Sequence, residues 1–287
     1  MKCTHVYQKG NGPINEDSYV INQDANVYAV IDGATGLDGL PGYLASYTVQ
    51  EQLQALKQTD GLYNGVLRAN QTLGQKLVDQ FNNFARSGSN ISSIQDIPKK
   101  QRSSTGLAAI QLHSNGHALD FFHAGDCMIF VEYKSGEIRA ITYDLIQYFD
   151  QLALKEFMKL HEKKGNHMDL SQLREMIKPI LMQNRENMNT SGGYGVIDGT
   201  AEAFQFMESG TVSLSKVSKI VLLTDGMLLP TREQTTIAWE KSAEIACNQG
   251  VEALFNEVVK RESQDASCLT YPRLKESDDK TALLLER

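Results

Sequence analysis

The chain lacks a basic excess, a long apolar run and any cysteine-pair motif, and each absence removes a class of function. Its 287 residues carry 28 Lys+Arg against 35 Asp+Glu, a net charge of −7. A generic nucleic-acid binder is basic, so no nucleic-acid partner is expected. No apolar run reaches 18 residues, and the opening MKCTHVYQKGNG has no apolar signal core. Neither a membrane nor secretion is expected. The four cysteines, Cys3, Cys127, Cys247 and Cys268, form no C-x-x-C pair and no zinc-type spacing. They read as reduced thiols in a cytoplasmic protein. There is no G-x-S-x-G elbow and no Walker-type G-x-x-x-x-G-K-[ST]. The six histidines are scattered, and His161 and His167 lie in a polar stretch where solvation is the plain reading. No internal repeat or low-complexity tract is present.

What is there is 41% hydrophobic and 22% charged, enough for one large core. The organising stretch is VYAVIDGATG, Val27 to Gly36: a buried-strand run that stops at Asp32-Gly33. KIVLLTDG repeats the pattern at Lys219 to Gly226, ending in Asp225-Gly226. Asp278 and Asp279 precede the apolar strand Thr281–Leu285, and Asn15-Glu16-Asp17 precedes Tyr19-Val20.

Along the chain, residues 1–35 read as a polar opening followed by a hairpin, Ser18–Gln23 and Val27–Asp32. Two helices follow. The first runs from about Gly42 to Leu56 with Leu44, Tyr47, Leu53 and Leu56 facing inward. The second runs from about Leu62 to Arg86 with Val66, Ala69, Leu73, Leu77, Phe81 and Phe84 on one face. Ser87–Arg102 reads as an exposed loop with a basic end. Ser104–His113, Ala118–Ala124, Met128–Tyr133 and Glu137–Thr142 read as one antiparallel meander. Residues 143–190 are helix-prone and polar, with a helix start at Asp169-Leu170-Ser171-Gln172 and Pro179 expected to kink or end that helix. Phe204–Met207 and Thr211–Leu214 read as edge strands. A helical stretch from about Thr235 to Arg261, interrupted near Gly250, precedes the last strand. The order predicts an α+β fold: two antiparallel sheets packed as a sandwich with helical layers outside, forming a single domain over residues 1–287.

Each Asp-Gly alone is also ordinary turn chemistry, and Ile197-Asp198-Gly199 reads as a turn only. Two accounts of the acidic set therefore stand, strand-end turns or a divalent-metal centre. What favours the second is that a carboxylate beside a buried strand needs a partner. Oxygen donors from several strand ends suit Mg²⁺ or Mn²⁺. Two such ions about 4 Å apart can share a water, lower its pKa and direct it at phosphorus.

In this order the motifs resemble the metal-dependent protein phosphatases of the PP2C (PPM) type. The residues are N-E-D at Asn15–Asp17, V-I-D-G at Val30–Gly33, S-T-G at Ser104–Gly106 and A-G-D at Ala124–Asp126. T-x-D at Thr142–Asp144, L-L-T-D-G at Leu222–Gly226 and D-D-K-T at Asp278–Thr281 complete the set. The resemblance implies hydrolysis of phosphoserine or phosphothreonine in phosphorylated protein substrates, with two Mn²⁺ or Mg²⁺ ions and a third, weaker one. Asp32 would bridge two ions, Gly33 would lend its carbonyl, and Asp225 and Asp278 would complete one ion's shell. Glu16 and Asp17 would hold metal-bound waters, Asp126 would serve the further ion, and Asp279 would support from behind. The 143–190 block would be an insert governing specificity.

Three departures accompany the resemblance. An Arg that grips the substrate phosphate in many members falls at Gly12, the residue after Asp32-Gly33 is Ala34, and G-D-S-R is Gly125-Asp126-Cys127-Met128. Lys9, Arg102 and Arg139 are the candidates to replace the missing Arg. Two alternatives remain at this stage: hydrolysis of another phosphoester, and a pseudophosphatase-like binding module, which retention of Asp32, Asp225 and Asp278 disfavours.

Overall fold

The computed structural model describes residues 1–84, 90–164 and 170–287. In chain order its strands and helices are β1 (Lys2–Gln8), β2 (Ser18–Asn22), β3 (Val27–Ala34), α1 (Tyr43–Gln54), α2 (Leu62–Phe84), β4 (Ser104–Leu112), β5 (Ala118–Ala124), β6 (Met128–Tyr133) and β7 (Ile138–Ala140). Then follow α3 (Gln147–Lys164), α4 (Leu170–Glu186), β8 (Glu208–Ser213), β9 (Val217–Leu223), α5 (Thr235–Gln249), α6 (Val251–Gln264) and β10 (Lys280–Glu286). The strands form two five-stranded sheets, β1-β10-β9-β6-β7 and β2-β3-β4-β5-β8, with every neighbouring pair antiparallel. The expected α+β sandwich is observed.

The period-2 rule explains why the central strands read as unbroken apolar runs. In β3, Tyr28 and Val30 point between the sheets, while Val27, Ala29 and Ile31 point to the α1–α2 layer. In β9, Ile220 and Leu222 face the other sheet, and Val221 and Leu223 face α5 and α6. In β10, Leu283 and Leu285 face inward and Ala282 and Leu284 outward. Both faces are covered, so no polar alternation survives. In α2, Val66, Ala69, Leu73 and Leu77 are fully buried, as the helical period predicts, and Phe81 packs at the margin.

Several expectations are corrected. The polar opening contains β1, an edge strand paired with β10 from Lys2↔Glu286 to Gln8↔Lys280. The meander is divided: β4 and β5 lie in one sheet and β6 and β7 in the other, with the crossing at Gly125-Asp126-Cys127. On α1 the buried residues are Ala45, Ser46, Thr48, Val49 and Leu53, not Leu44 and Tyr47. Small side chains let α1 lie close to the sheet, while the Tyr47 hydroxyl turns to the Asn15 carbonyl. Residues Ala201–Gln205 form a 3₁₀ turn, so no edge strand occupies Phe204–Met207. Pro179 sits inside α4 on its exposed face, where water can take the carbonyl that loses its amide partner. Asp169 and Ser87–Ser89, in the expected helix start and loop, lie outside the described residues, as does His167.

The expected exposed loop before β4 is pinned instead. Ile94 and Ile97 are buried, and Arg102 is 5% exposed. Its guanidinium donates to Asp198 Oδ2 at 3.1 Å and to the Ile97 carbonyl at 2.8 Å. Asp198 does sit in a turn, with Thr200 donating to its other oxygen through the amide and the hydroxyl. Removing Arg102 leaves a charge buried without its counter-ion. Arg102→Met is expected to cost about 3–5 kcal/mol, read from the urea midpoint. A loss under about 1 kcal/mol would show that Thr200 alone satisfies the carboxylate.

Candidate metal centre

Three carboxylates from three separate segments meet at one end of the sandwich. Asp32 lies near the end of β3, where Asp32 pairs with Gly106 and Gly33 with Thr105. Asp126 follows Gly125 at the crossing between sheets, and Asp225 opens the turn after β9. One oxygen from each lies within 4.8 Å of the others. The glycines behind two of them are required by close approach rather than by turn conformation. A Cβ at Gly33 would stand 2.4 Å from the Glu16 carbonyl oxygen, and one at Gly226 would stand 1.7 Å from that of Asp279.

Around this trio the structure distributes the other acids unequally. Asp278 lines the same cavity, but both its oxygens accept from Lys275 Nζ, at 2.7 and 2.5 Å. Glu16 also lines it, its Oε1 accepting from the Thr35 hydroxyl at 2.5 Å and the Gly42 amide at 2.8 Å. Asp17 is buried behind, where Oδ2 accepts from the hydroxyls of Thr224 at 2.9 Å and Thr281 at 2.7 Å. Asp279 clamps two segments: its oxygens accept from the Gly10 amide at 2.8 Å and the Glu16 amide at 2.7 Å.

Burial first, and the neighbouring negative charges second, push Asp32 and Asp126 well above the ordinary carboxylate range, and burial does the same to Asp17 against the hydroxyl bonds from Thr281 and Thr224. Burial and then the Asp278 charge push Asp225 up to about 6, although the Lys275 charge and then a hydrogen bond shared with Asp32 oppose this. Among the described residues no cation forms an ion pair with Asp32, Asp126 or Asp225. An all-oxygen donor set with uncompensated charge fits a hard divalent cation such as Mg²⁺ or Mn²⁺.

The site opens into a cavity of about 810 Å³. Its far wall comes from the helical stretch: Gln147, Asp150 and Leu154 of α3, and Leu181 and Arg185 of α4 line it. Asp150 is pushed up to about 7 by burial and by Asp144. None of Lys9, Arg102 and Arg139 lines this cavity. Arg102 is sealed against Asp198, Arg139 borders a separate pocket beside Lys216, and Lys9 contacts the Pro13 carbonyl. The sequence pattern missed Asp150, Arg185 and Lys275. No spacing rule marks them, because they reach the site through helix packing and a loop.

The raised Asp225 value carries a sign. In metal-free protein the neutral carboxyl is favoured, so its stabilisation is full below about pH 4 and is lost as pH rises through about 6. With chelator, Asp225→Asn should match wild type near pH 4 and become more stable by order of 2 kcal/mol at pH 7. The same variant should lose the Mn²⁺-induced rise in Tm. Thermal scans across that pH window check both; equal pH slopes for the two proteins would contradict the assignment.

No protein-family model and no curated protein sequence matches the chain. Solved structures do. The serine/threonine phosphatase PstP of Mycobacterium tuberculosis is 16% identical with a TM-score of 0.55, covering 100% of this chain and 99% of that one. The catalytic domain of PstP in complex with two manganese ions is 16% identical, TM-score 0.57, over 99% and 97% of the two chains. The serine/threonine phosphatase Stp1 from Staphylococcus aureus is 13% identical, TM-score 0.55, over 100% and 94%. Motif order, sandwich topology and end-to-end superposition agree: the chain has the fold of the bacterial PP2C-type serine/threonine phosphatases.

Proposed function

We propose that the protein is a metal-dependent phosphatase acting on phosphoserine or phosphothreonine in proteins, and that it works in the cytoplasm. The observation that carries the reading is the trio Asp32, Asp126 and Asp225, gathered within 4.8 Å on the lining of a large cavity and, among the described residues, without a pairing cation. The manganese-bound structure of similar fold supports the choice of ion. Four free cysteines and the absence of any helix long and apolar enough to cross a membrane, among the described residues, are compatible with the location.

Asp32, Asp126 and Asp225 would hold the ions, with the Gly33 carbonyl, Asp278 and Glu16 at their edges. Bound ions would supply a nucleophile from water at neutral pH and neutralise charge on the phosphoryl group. The rest falls to the chain itself. Asp17 joins Thr224 of the β9 end to Thr281 of β10, so the carboxylates on those ends keep a fixed separation. Asp279 holds Glu16 against Gly33 through the backbone. The apolar flank of α3 and α4 would limit water and hold the residues beside the phosphorylated side chain. We read 143–190 as an insert that sets this surface.

Hydrolysis of p-nitrophenyl phosphate and of a phosphothreonine peptide should require Mn²⁺ or Mg²⁺ and stop with chelator. Asp32→Asn should lower both by more than about a hundredfold while its circular dichroism stays native. Undiminished turnover in Asp32→Asn would overturn the metal-centre reading.

A further inference from the structure

We propose that Arg185, from the last turn of α4, is the residue that grips the substrate phosphate. The inference rests on the phosphatase reading above. Five cationic side chains line the cavity, and four are committed or distant. Arg273 is spent on Asp265, at 2.9 Å, and on the carbonyls of its own loop. Lys275 is spent on Asp278. Arg232 is exposed and donates through Nε to the Thr270 carbonyl at 2.8 Å, a loop contact away from the strands that carry Asp32 and Gly106. Arg174 lies eleven residues before Arg185 on the same helix, roughly 16 Å away along the axis.

Arg185 is placed differently. Nη1 donates to Ser104 Oγ at 2.8 Å and Nη2 to the Thr35 carbonyl at 3.0 Å. Ser104 pairs with Ala34 in register, two residues beyond Asp32↔Gly106, or roughly 7 Å along the strand. The guanidinium is thus fixed to the ends of the two strands that carry Asp32 and Gly106, within reach of a phosphoryl group lying over the carboxylates. Both acceptors are neutral, and among the described residues no carboxylate forms an ion pair with it. With a weak contact from Nη1 to Met188 Sδ, Nε–H and one Nη2–H remain for a ligand. The charge of Arg185 acts on Asp150 across the cavity without an ion pair between them, and a planar fork with two donors left suits a phosphate dianion better than an ammonium does.

The mounting is rigid. Lys99 Nζ caps the end of α4 through the Met188 carbonyl at 2.7 Å, and Asn184 ties α4 to the Phe149 carbonyl of α3 at 2.8 Å. Gly12 has no side chain for the purpose and does not line the cavity, and Arg185 supplies one from the α3–α4 wall.

The test is inhibition of the manganese-loaded enzyme by inorganic phosphate, with Mn²⁺ affinity measured by calorimetry, for wild type, Arg185→Gln and Arg185→Lys. Gln keeps donors for Ser104 and Thr35 without the charge; Lys keeps the charge without the fork. The expected result is a phosphate inhibition constant raised about tenfold to a hundredfold in Arg185→Gln and partly restored in Arg185→Lys. KM for the phosphothreonine peptide should rise in parallel, with Mn²⁺ affinity changed less than about twofold. An unchanged inhibition constant in Arg185→Gln overturns the proposal, as does equal loss in both variants accompanied by weaker Mn²⁺ binding, the mark of a structural role. Wild-type protein that binds no Mn²⁺ and turns over neither ester overturns the phosphatase reading itself.

Discussion

Mutual repulsion among carboxylates is the constraint on which this structure depends. Asp32, Asp126 and Asp225 stand closer together than ionised groups tolerate without a counter-charge. Among the described residues no cation forms an ion pair with any of the three. Lys275 bonds to Asp278 and acts on Asp225 and Asp32 only through its charge, and Arg185 is turned to a hydroxyl and a carbonyl. The backbone holds the cluster open by interactions made elsewhere: the ladders of both sheets, the threonine hydroxyls on Asp17 and the amides on Asp279. The fold spends stability at this end of the sandwich and recovers it in three apolar layers.

The sheets explain how the cluster arises from residues far apart in sequence. Strand β3 brings Asp32 from one sheet, β9 brings Asp225 from the other, and the chain carries Asp126 as it passes between them. A single folding event that packs the two sheets therefore also assembles the site. The α3–α4 pair has its own small apolar cluster around Ala153, Phe157, Leu173 and Ile177, separate from the layers of the sandwich. Its own packing is separate, yet Asp150 of α3 lines the cavity and its charge acts on Asp126, so the pair is joined to the carboxylates electrostatically.

Much of this was legible because strands covered on both faces leave continuous apolar runs, and an acid terminating such a run stands out. That held for β3, β9 and β10, and the 3.6-residue stripe located α2. Strand β1 was invisible for the opposite reason: KCTHVYQ is an edge strand, largely exposed, stabilised by its partner rather than by its own pattern. The division of the meander was hidden because a turn that ends a hairpin and one that changes sheets use the same Gly-Asp letters. Arg102 read as part of a basic surface run, yet its role was set by Asp198, 96 residues away. Arg185 carried no signal at all, since its partners come from two strand ends that only tertiary packing brings to α4.

The pairing of β1 with β10 joins opposite ends of the chain, and the latter strand lies between β1 and β9. Strand β1 therefore has no partner until β10 is placed beside β9, and that sheet stays incomplete until then. Asp279, just before β10, is also what fastens Glu16 in place. Without the segment from Asp279 to Glu286 the Asp32 hairpin could still form, but Glu16 would lose the bond that fastens it beside Gly33. Long-range closure of this kind makes folding slow, and it ties the placing of Glu16 to the docking of β10.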